Sequence, residues 1–286
     1  MTEHLLDGCR AKLRRAYVHL WEIAGLVGRF ESDHPYEAMI LVGPNGRAEV
    51  QLTADVVVPP AEEWGVVLGD YAHNLASALD QLVCVLFNLN PSNLGKDCER
   101  THFPIHKNIE SWRAVNAGRR IVGLADPHQA IIQAVQPYTG VDGYPPEQNP
   151  LWQLFTLNNI DKHRRVPLLH TAVRSEFVSA VGHPLPGLRV FDGSKRGDII
   201  AAFDASGAEG RLRVGRIGHV VFGPGSGDLT GHEFVQVLDG LPNHICNRVF
   251  PKFNDFVGDL AYPWPPSYIP GPDGPIPVET VIVQPK

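Results

Sequence analysis

The sequence predicts an α+β protein, a helical bundle packed against an antiparallel β-sheet. Three observations lead there. Apolar residues recur at helical spacing through residues 4–31, 61–89 and 151–165; the texture after Pro167 turns short, β-branched and alternating; and Gly, Pro, Asp and Ser clusters separate those later runs. The order of these runs divides the chain into a mainly helical domain (residues 1–166) with an inserted β-hairpin (residues 36–58), a β-rich region (residues 167–261) ending in a helix that returns to the bundle, and a Pro-rich tail (residues 262–286).

Leu6, Leu13, Tyr17, Leu20, Ala24 and Val27 set the first helix, which ends near Asp33-His34-Pro35 because proline disfavours helix in the residue before it. Two β-rich runs, residues 36–42 and 48–58, flank Gly43-Pro44-Asn45-Gly46, and Asn-Gly between apolar runs signals a hairpin. A long helix follows from Ala61-Glu62-Glu63, whose acidic side chains suit the positive end of the helix dipole. At about 100° per residue, Trp64, Leu68, Tyr71, Leu75, Leu82 and Leu86 form one apolar stripe and Asp70, Asn74, Ser77, Gln81 and Asn88 a polar strip. His73 and Asp80 fall on a second apolar face with Ala76, Val83, Cys84 and Phe87. A helix apolar on two faces is central, so both ionisable groups are expected to point into a protein-lined space.

Beyond Pro91, the reading is a loop to Lys96, an extended segment over residues 101–106, a short helix over 111–122 capped by Ser111, and a helix over 125–135 with Asp126 as cap and Pro127 at its first position. Residues 136–150 form a Gly/Pro-rich loop of the length that is often functional or mobile. The next helix, residues 151–165, carries Leu151, Leu154, Phe155, Asn158, Asp161 and Arg165 on one face and Trp152, Asn159 and His163 on another. Strands are predicted over 168–181, 188–191, 198–203, 211–222 and 232–238, and a last helix over 242–260, kinked at Pro251. Eight prolines in residues 262–286 make the tail an extended segment that wraps the body or stays mobile.

Composition narrows the class. With 43% hydrophobic and 20% charged residues the chain can bury a sizeable core, so wholesale disorder is excluded. A net charge of −6 argues against a general nucleic-acid binder or a membrane-surface protein. The net charge of residues 1–90, 91–170 and 171–286 is −6, +2 and −2, so only the middle third could offer a basic patch. The start of the chain lacks a signal-peptide pattern, and the longest apolar run, residues 82–89, falls well short of a membrane span. Cys9, Cys84, Cys98 and Cys246 contain no C-x-x-C pair and read as reduced thiols. The expectation is a cytoplasmic protein with no membrane partner, for which a homo-oligomer is possible.

The main constellation is His73, Asn74 and Asp80 on one helix with Asn159, Asp161, Lys162, His163 and Arg164 on another. Histidine can serve as general base or acid, carboxylates can orient it, and cations can meet a developing phosphate or oxyanion charge. The same residues can equally be an inter-helix network, for instance Asp80 with Arg164 and Asp161 with Arg165, that fixes packing. As metal ligands, His73, Asp80, Asp161 and His163 lack the Glu-x-x-His repeat of bundle metal sites. Cys98, His102 and His106 would lie on one face of an extended segment, but about 13 Å apart per four residues. No metal or cofactor is therefore expected. Nucleophile and phosphate-loop motifs are absent, and Gly223-Pro224-Gly225-Ser226-Gly227 reads as a turn between strands. Cys84, on the face of His73, reads as a small hydrophobe or an activated thiol.

The run Gly69-Asp70-Tyr71-Ala72-His73-Asn74-Leu75-Ala76-Ser77-Ala78-Leu79-Asp80, followed by Phe103-Pro104-Ile105, Gln136-Pro137-Tyr138, Leu151-Trp152 and Asn159-Ile160-Asp161-Lys162-His163-Arg164, resembles a family of uncharacterised bacterial proteins common in actinobacteria. The resemblance covers residues 10–170. In that family an Arg stands at the position of Ala76 and a His at that of Gln81, a spacing similar to the Arg-x-x-x-x-His motif of HEPN ribonucleases. This chain has neither residue, and Arg165 and His170, which recreate the spacing, are separated by Pro167. What the resemblance implies is a HEPN-like, metal-independent phosphodiesterase or ribonuclease, or a degenerate relative. His73 or His163 would be its general base, Lys162 and Arg164 would neutralise phosphate, Asp80 and Asp161 would orient them, and Asn74 and Asn159 would contact substrate. The competing reading is a non-catalytic ligand- or protein-binding module in which the cluster is structural.

Overall fold

The structure, a computed structural model, describes residues 2–33, 37–114, 120–163, 169–173, 178–180, 185–191, 193–206, 212–214, 218–258 and 284–285. It is an α+β protein, as its sequence predicts. Two compact units share the chain: one from Met1–Ile23, Ala61–Pro167 and Pro224–Ile269, the other from Ala24–Pro60, Leu168–Gly223 and Pro270–Lys286.

The first unit is helical. Helix α1 (Thr2–Ser32) contributes Leu6, Cys9, Leu13, Ala16, Leu20 and Ile23 to the core at the expected spacing. Helix α2 (Ala61–Asn88) buries the whole predicted stripe, from Trp64 through Leu68, Tyr71, Leu75 and Leu82 to Leu86. Each such side chain removed from water stabilises the fold by roughly 1.5–3 kcal/mol before entropy is counted. Helices α3 (Ile109–Ala114) and α4 (Asp126–Ala134) are short, and helix α5 (Pro150–His163) packs on α2, as anticipated.

Two helix starts differ from expectation. Asn108, not Ser111, caps α3: its Oδ1 accepts from Ser111 N at 2.7 Å, while Ser111 Oγ donates back to the Asn108 carbonyl. The N-cap of α4 is Ala125, which offers no side-chain bond, and Asp126 is already helical. The chemistry at both starts, a polar residue and Pro127, is compatible with either register, which differ by one to three residues. Residues 115–119 of the predicted 111–122 helix lie outside the described residues.

The larger correction concerns residues 232–238, predicted as a strand. They open helix α6 (Phe234–His244), whose Phe234, Val237, Leu238 and Leu241 are buried at helical spacing, with Trp64 of α2 meeting the Phe234 ring at 6.1 Å. The apolar residues are as compatible with a period of 3.6 as with a period of two over so short a run, and packing decides. Pro242 sits inside the helix, and the Ile245 N–H turns to the carbonyls of Leu241 and Pro242. A π-turn (Ile245–Val249) and a 3-10 turn (Phe250–Phe253) follow in place of the single helix predicted over 242–260.

The second unit is built on strands. Strands β1 (Ala38–Val42) and β2 (Arg47–Leu52) form the predicted hairpin, with Gly46 at φ 77°, a left-handed conformation that favours glycine. The hairpin is the centre of a sheet and not an attachment to one: the order is β5 (Arg189–Val190), β6 (Ile199–Asp204), β2, β1, β9 (Gln284–Pro285). Neighbours are antiparallel except β1 and β9, which are parallel. Ile40, Ala48, Val50, Leu52, Ile200 and Phe203 form its core. Strands β3 (Leu169–Val173) and β8 (Gly218–Phe222) pair separately, as do β4 (Val178–Ala180) and β7 (Leu212–Val214), so the described residues of the β-rich region fall in three sheets.

Two of the four cysteines are not thiols, contrary to expectation: Cys84 and Cys98 form a disulfide across 14 residues, their Cα atoms 5.4 Å apart. After α2 the chain turns at Pro91–Asn93 and returns along the helix, so cysteines without motif spacing meet. Closing such a loop constrains the unfolded chain by about 3 kcal/mol. Cys9 and Cys246 are buried thiols, both pushed up to about 12 by burial. Among the described residues no helix is long and apolar enough to cross a membrane.

Histidines 106, 128 and 244 are buried in the first unit. Burial pushes all three below the ordinary 6.5; Arg120 adds to this at His106, and at His244 Asp142 opposes it while Arg248 and Lys252 add to it. The folded chain thus binds fewer protons there than the unfolded chain, so these residues stabilise the fold above about pH 6.5 and that contribution is lost as pH falls through their folded values. Asp198, Asp204 and Asp228, held below 3.8 by hydrogen bonds, act in the same direction only at lower pH. The thermal midpoint is expected to fall between about pH 7.5 and 5.5; calorimetry giving an equal or higher midpoint at the acid end would contradict this.

Candidate functional site

The second face of α2 is covered by a strap, residues 101–106, which is extended but belongs to no sheet. Phe103, Pro104, Ile105 and His106 are buried, so the strap's backbone cannot rely on water and must find partners within the protein. Asp80 Oδ1 accepts from Phe103 N at 2.8 Å, and Asp80 Oδ2 lies 3.5 Å from His102 Nδ1. One step further on, Gln136, 1% exposed, accepts from His106 N through Oε1 at 3.0 Å and donates through Nε2 to the carbonyls of Pro104 (2.8 Å) and Ile132 (3.0 Å). Asp80 and Gln136 therefore stand where a neighbouring strand would stand in a sheet.

His73 does not join Asp80. It is exposed, and its Nε2 lies 3.4 Å from Ser77 Oγ, one turn along the same helix. The expectation that both point into a protein-lined space fails for His73, and Asp80, whose side chain is 42% exposed, meets it only in part. Asn74 is buried and donates to the Asp70 carbonyl at 2.7 Å, a bond within its own helix. Gln81 lies against α1 at Gly8, where a Cβ would meet its amide. Asn159 is half-buried on α5. Asp161, Lys162 and His163 close α5, which packs on α2, but their side chains lie outside the described residues, as does the whole of Arg164. Of the predicted set, the structure thus describes His73, Asn74, Asp80 and Asn159, and brings no two of these side chains together.

The second metal candidate dissolves as well. Cys98 is bonded to Cys84, His102 faces Asp80, and His106 Nδ1 lies 3.2 Å from Ser111 Oγ. The single Ser111 hydroxyl proton is given to Asn108, so Nδ1 of His106 carries the proton of this pair. Among the described residues no group of three or more His, Cys, Asp or Glu side chains could hold a metal ion.

Two polar groupings lay beyond sequence reasoning. Asp228 Oδ2 accepts from Lys107 Nζ and from Trp152 Nε1, both at 2.8 Å, and these bonds hold its carboxyl below the usual range. Lys107 also lies over the Trp152 ring, whose other neighbour is the stacked ring of Phe155. The knot joins segments 121 residues apart, and no spacing signals it. In the 136–150 loop, Asp142 Oδ2 lies 3.6 Å from Nε2 of buried His244 near the end of α6.

Within the second unit, an open cavity of about 380 Å³ lies between the hairpin turn and β5, lined by Asn45, Arg47, Pro186, Gly187, Arg189 and Asp204. Its polar walls combine two guanidinium groups with one carboxylate.

If Asp80 is a fastener, Asp80→Ala strands the Phe103 N–H and lowers stability by about 1–2 kcal/mol, whereas Asp80→Asn keeps an acceptor and costs less. His73→Ala, at an exposed position, is expected within about 0.5 kcal/mol of wild type. Urea unfolding of the three variants checks the order, and a larger loss from His73→Ala than from Asp80→Ala would reverse the assignment. In comparisons of the chain with family models, curated proteins and solved structures, none matches.

Proposed function

We propose that this chain is a non-catalytic binding protein in which the polar residues on α2 are structural and recognition belongs to a surface of the second unit. What carries the reading is the engagement of Asp80: one carboxylate oxygen holds Phe103 N and the other faces His102. A carboxylate committed to buried backbone is poorly suited to orient a general base. The phosphodiesterase reading needs His73 or His163 as that base, and His73 is exposed, with its Nε2 beside Ser77 Oγ. The recognition surface in this reading is the open cavity of the second unit, where Arg47 and Arg189 suit a ligand carrying an anionic group and Asp204 a donor beside it.

The deciding experiment incubates the full chain with single-stranded RNA in the presence of a chelator, beside His73→Ala and His163→Ala. The expected result is no cleavage above the protein-free control in all three. Cleavage by the wild type that His163→Ala abolishes would restore the phosphodiesterase. The cavity is tested by titrating isotope-labelled protein with inorganic phosphate: saturable shifts at Arg47 and Arg189, absent in the double alanine variant, are expected, and their absence would remove the cavity from the proposal.

A further inference from the structure

We propose that the Cys84–Cys98 bond is a reversible latch, opened by a dithiol reductant, that decides whether residues 94–102 lie fastened along α2 beside Asp80. The first ground is access. Cys84 and Cys98 are each half-buried, whereas Cys9 and Cys246 are sealed in the core as thiols. Attack on a disulfide requires a path to sulfur, and accessible disulfides are the ones that exchange.

The second ground is that the loop closed by the bond is secured independently at both ends. On the near side Asn90 Nδ2 donates to the Gly123 carbonyl at 2.7 Å, and Asn93 Nδ2 to those of Phe87 and Gly123 at 2.9 and 2.7 Å. Gly123, at φ 95°, has no room for a Cβ, which would come within 2.7 Å of the Phe87 ring. On the far side Asp80 and Gln136 hold the strap from Phe103 onward. Between these anchors the bonds of residues 94–101 are local: Lys96 N to Asn93 O, Glu99 N to Asp97 Oδ1, Thr101 N to Cys98 O. Among the described residues, the sulfur bridge is what ties this stretch to α2. Opening it therefore releases one segment and leaves the bundle intact.

The third ground is what lies next to the released segment. His102, which follows it directly, faces Asp80 Oδ2 at 3.5 Å, and its backbone N–H reaches only the Arg120 carbonyl at 3.3 Å. Freed from the bridge, His102 can leave Asp80, whose side chain, already 42% exposed, then keeps only its bond to Phe103 N. In the exchange, a thiolate of the reductant attacks one protein sulfur, the Cys84–Cys98 bond breaks, and a mixed disulfide forms. The reductant's second thiol then displaces the protein sulfur. The reductant ends as a disulfide, and Cys84 and Cys98 end as two thiols, having gained two electrons and two protons.

The test uses the full chain without denaturant, as isolated in air and after about 1 mM dithiothreitol. Alkylation with mass readout is expected to add two labels after reduction, at Cys84 and Cys98 alone. Amide exchange in residues 94–102 should rise about tenfold or more while α2 and α5 stay unchanged, since local opening needs no global unfolding. Glutathione disulfide should restore the protected pattern, and the double variant Cys84→Ser/Cys98→Ser should show the open pattern permanently. A bond that resists reduction until the protein unfolds overturns the proposal. So does reduction that leaves residues 94–102 unchanged or loosens α2 and α5 with them, and so does a protein with four thiols that oxidant never pairs.

Discussion

A buried stretch of backbone that belongs to no sheet sets the terms for the helical unit. Residues 103–106 lie against α2 with their apolar side chains inward, and their amides and carbonyls are out of reach of water. Each such group left without a partner would cost on the order of 1–3 kcal/mol, comparable to a sizeable share of a domain's net stability. Asp80 and Gln136, one from α2 and one just beyond α4, take up three of these groups, the Phe103 and His106 amides and the Pro104 carbonyl, and so join the strap to two other segments. The loop that carries the chain back to the strap is closed separately, by the Cys84–Cys98 disulfide.

The residues that looked most chemical in the sequence are explained largely by that same demand. An ionisable side chain on an apolar helical face is either a functional group or the partner of something buried, and projection on a helical wheel cannot separate the two. Asp80 proves to be the partner of a backbone amide, and Gln136-Pro137-Tyr138, singled out only as part of a resemblance, contains the other fastener. His73, one stripe with Asp80 on the wheel, ends up in solvent.

Long helices were legible because α1, α2 and α5 each repeat the apolar period over several turns, enough to outweigh any local ambiguity. The stretch 232–238 was not, since seven residues with four apolar positions fit either period and only the burial of Phe234 and Leu238 against neighbouring helices decides between them. The hairpin was legible from Asn45-Gly46, but its place at the middle of a sheet was not, because the partner strands lie some 150 residues away and pairing across that distance leaves no local mark. The same limit hid the disulfide, the Lys107, Trp152 and Asp228 knot and the Asp142 contact with His244: each depends on how loops return, which periodicity does not encode.

The two-residue strand β9 has a consequence out of proportion to its size. Strand β1, Ala-Met-Ile-Leu-Val, is apolar throughout, and without a neighbour opposite β2 its outer side would present open amides and carbonyls to any passing chain. Gln284 and Pro285 pair along it at Leu41 and Val42, and the proline has no N–H with which to recruit a further strand. Residues 284–285 thus act as a selvedge for the part of the edge that they cover, Leu41 and Val42.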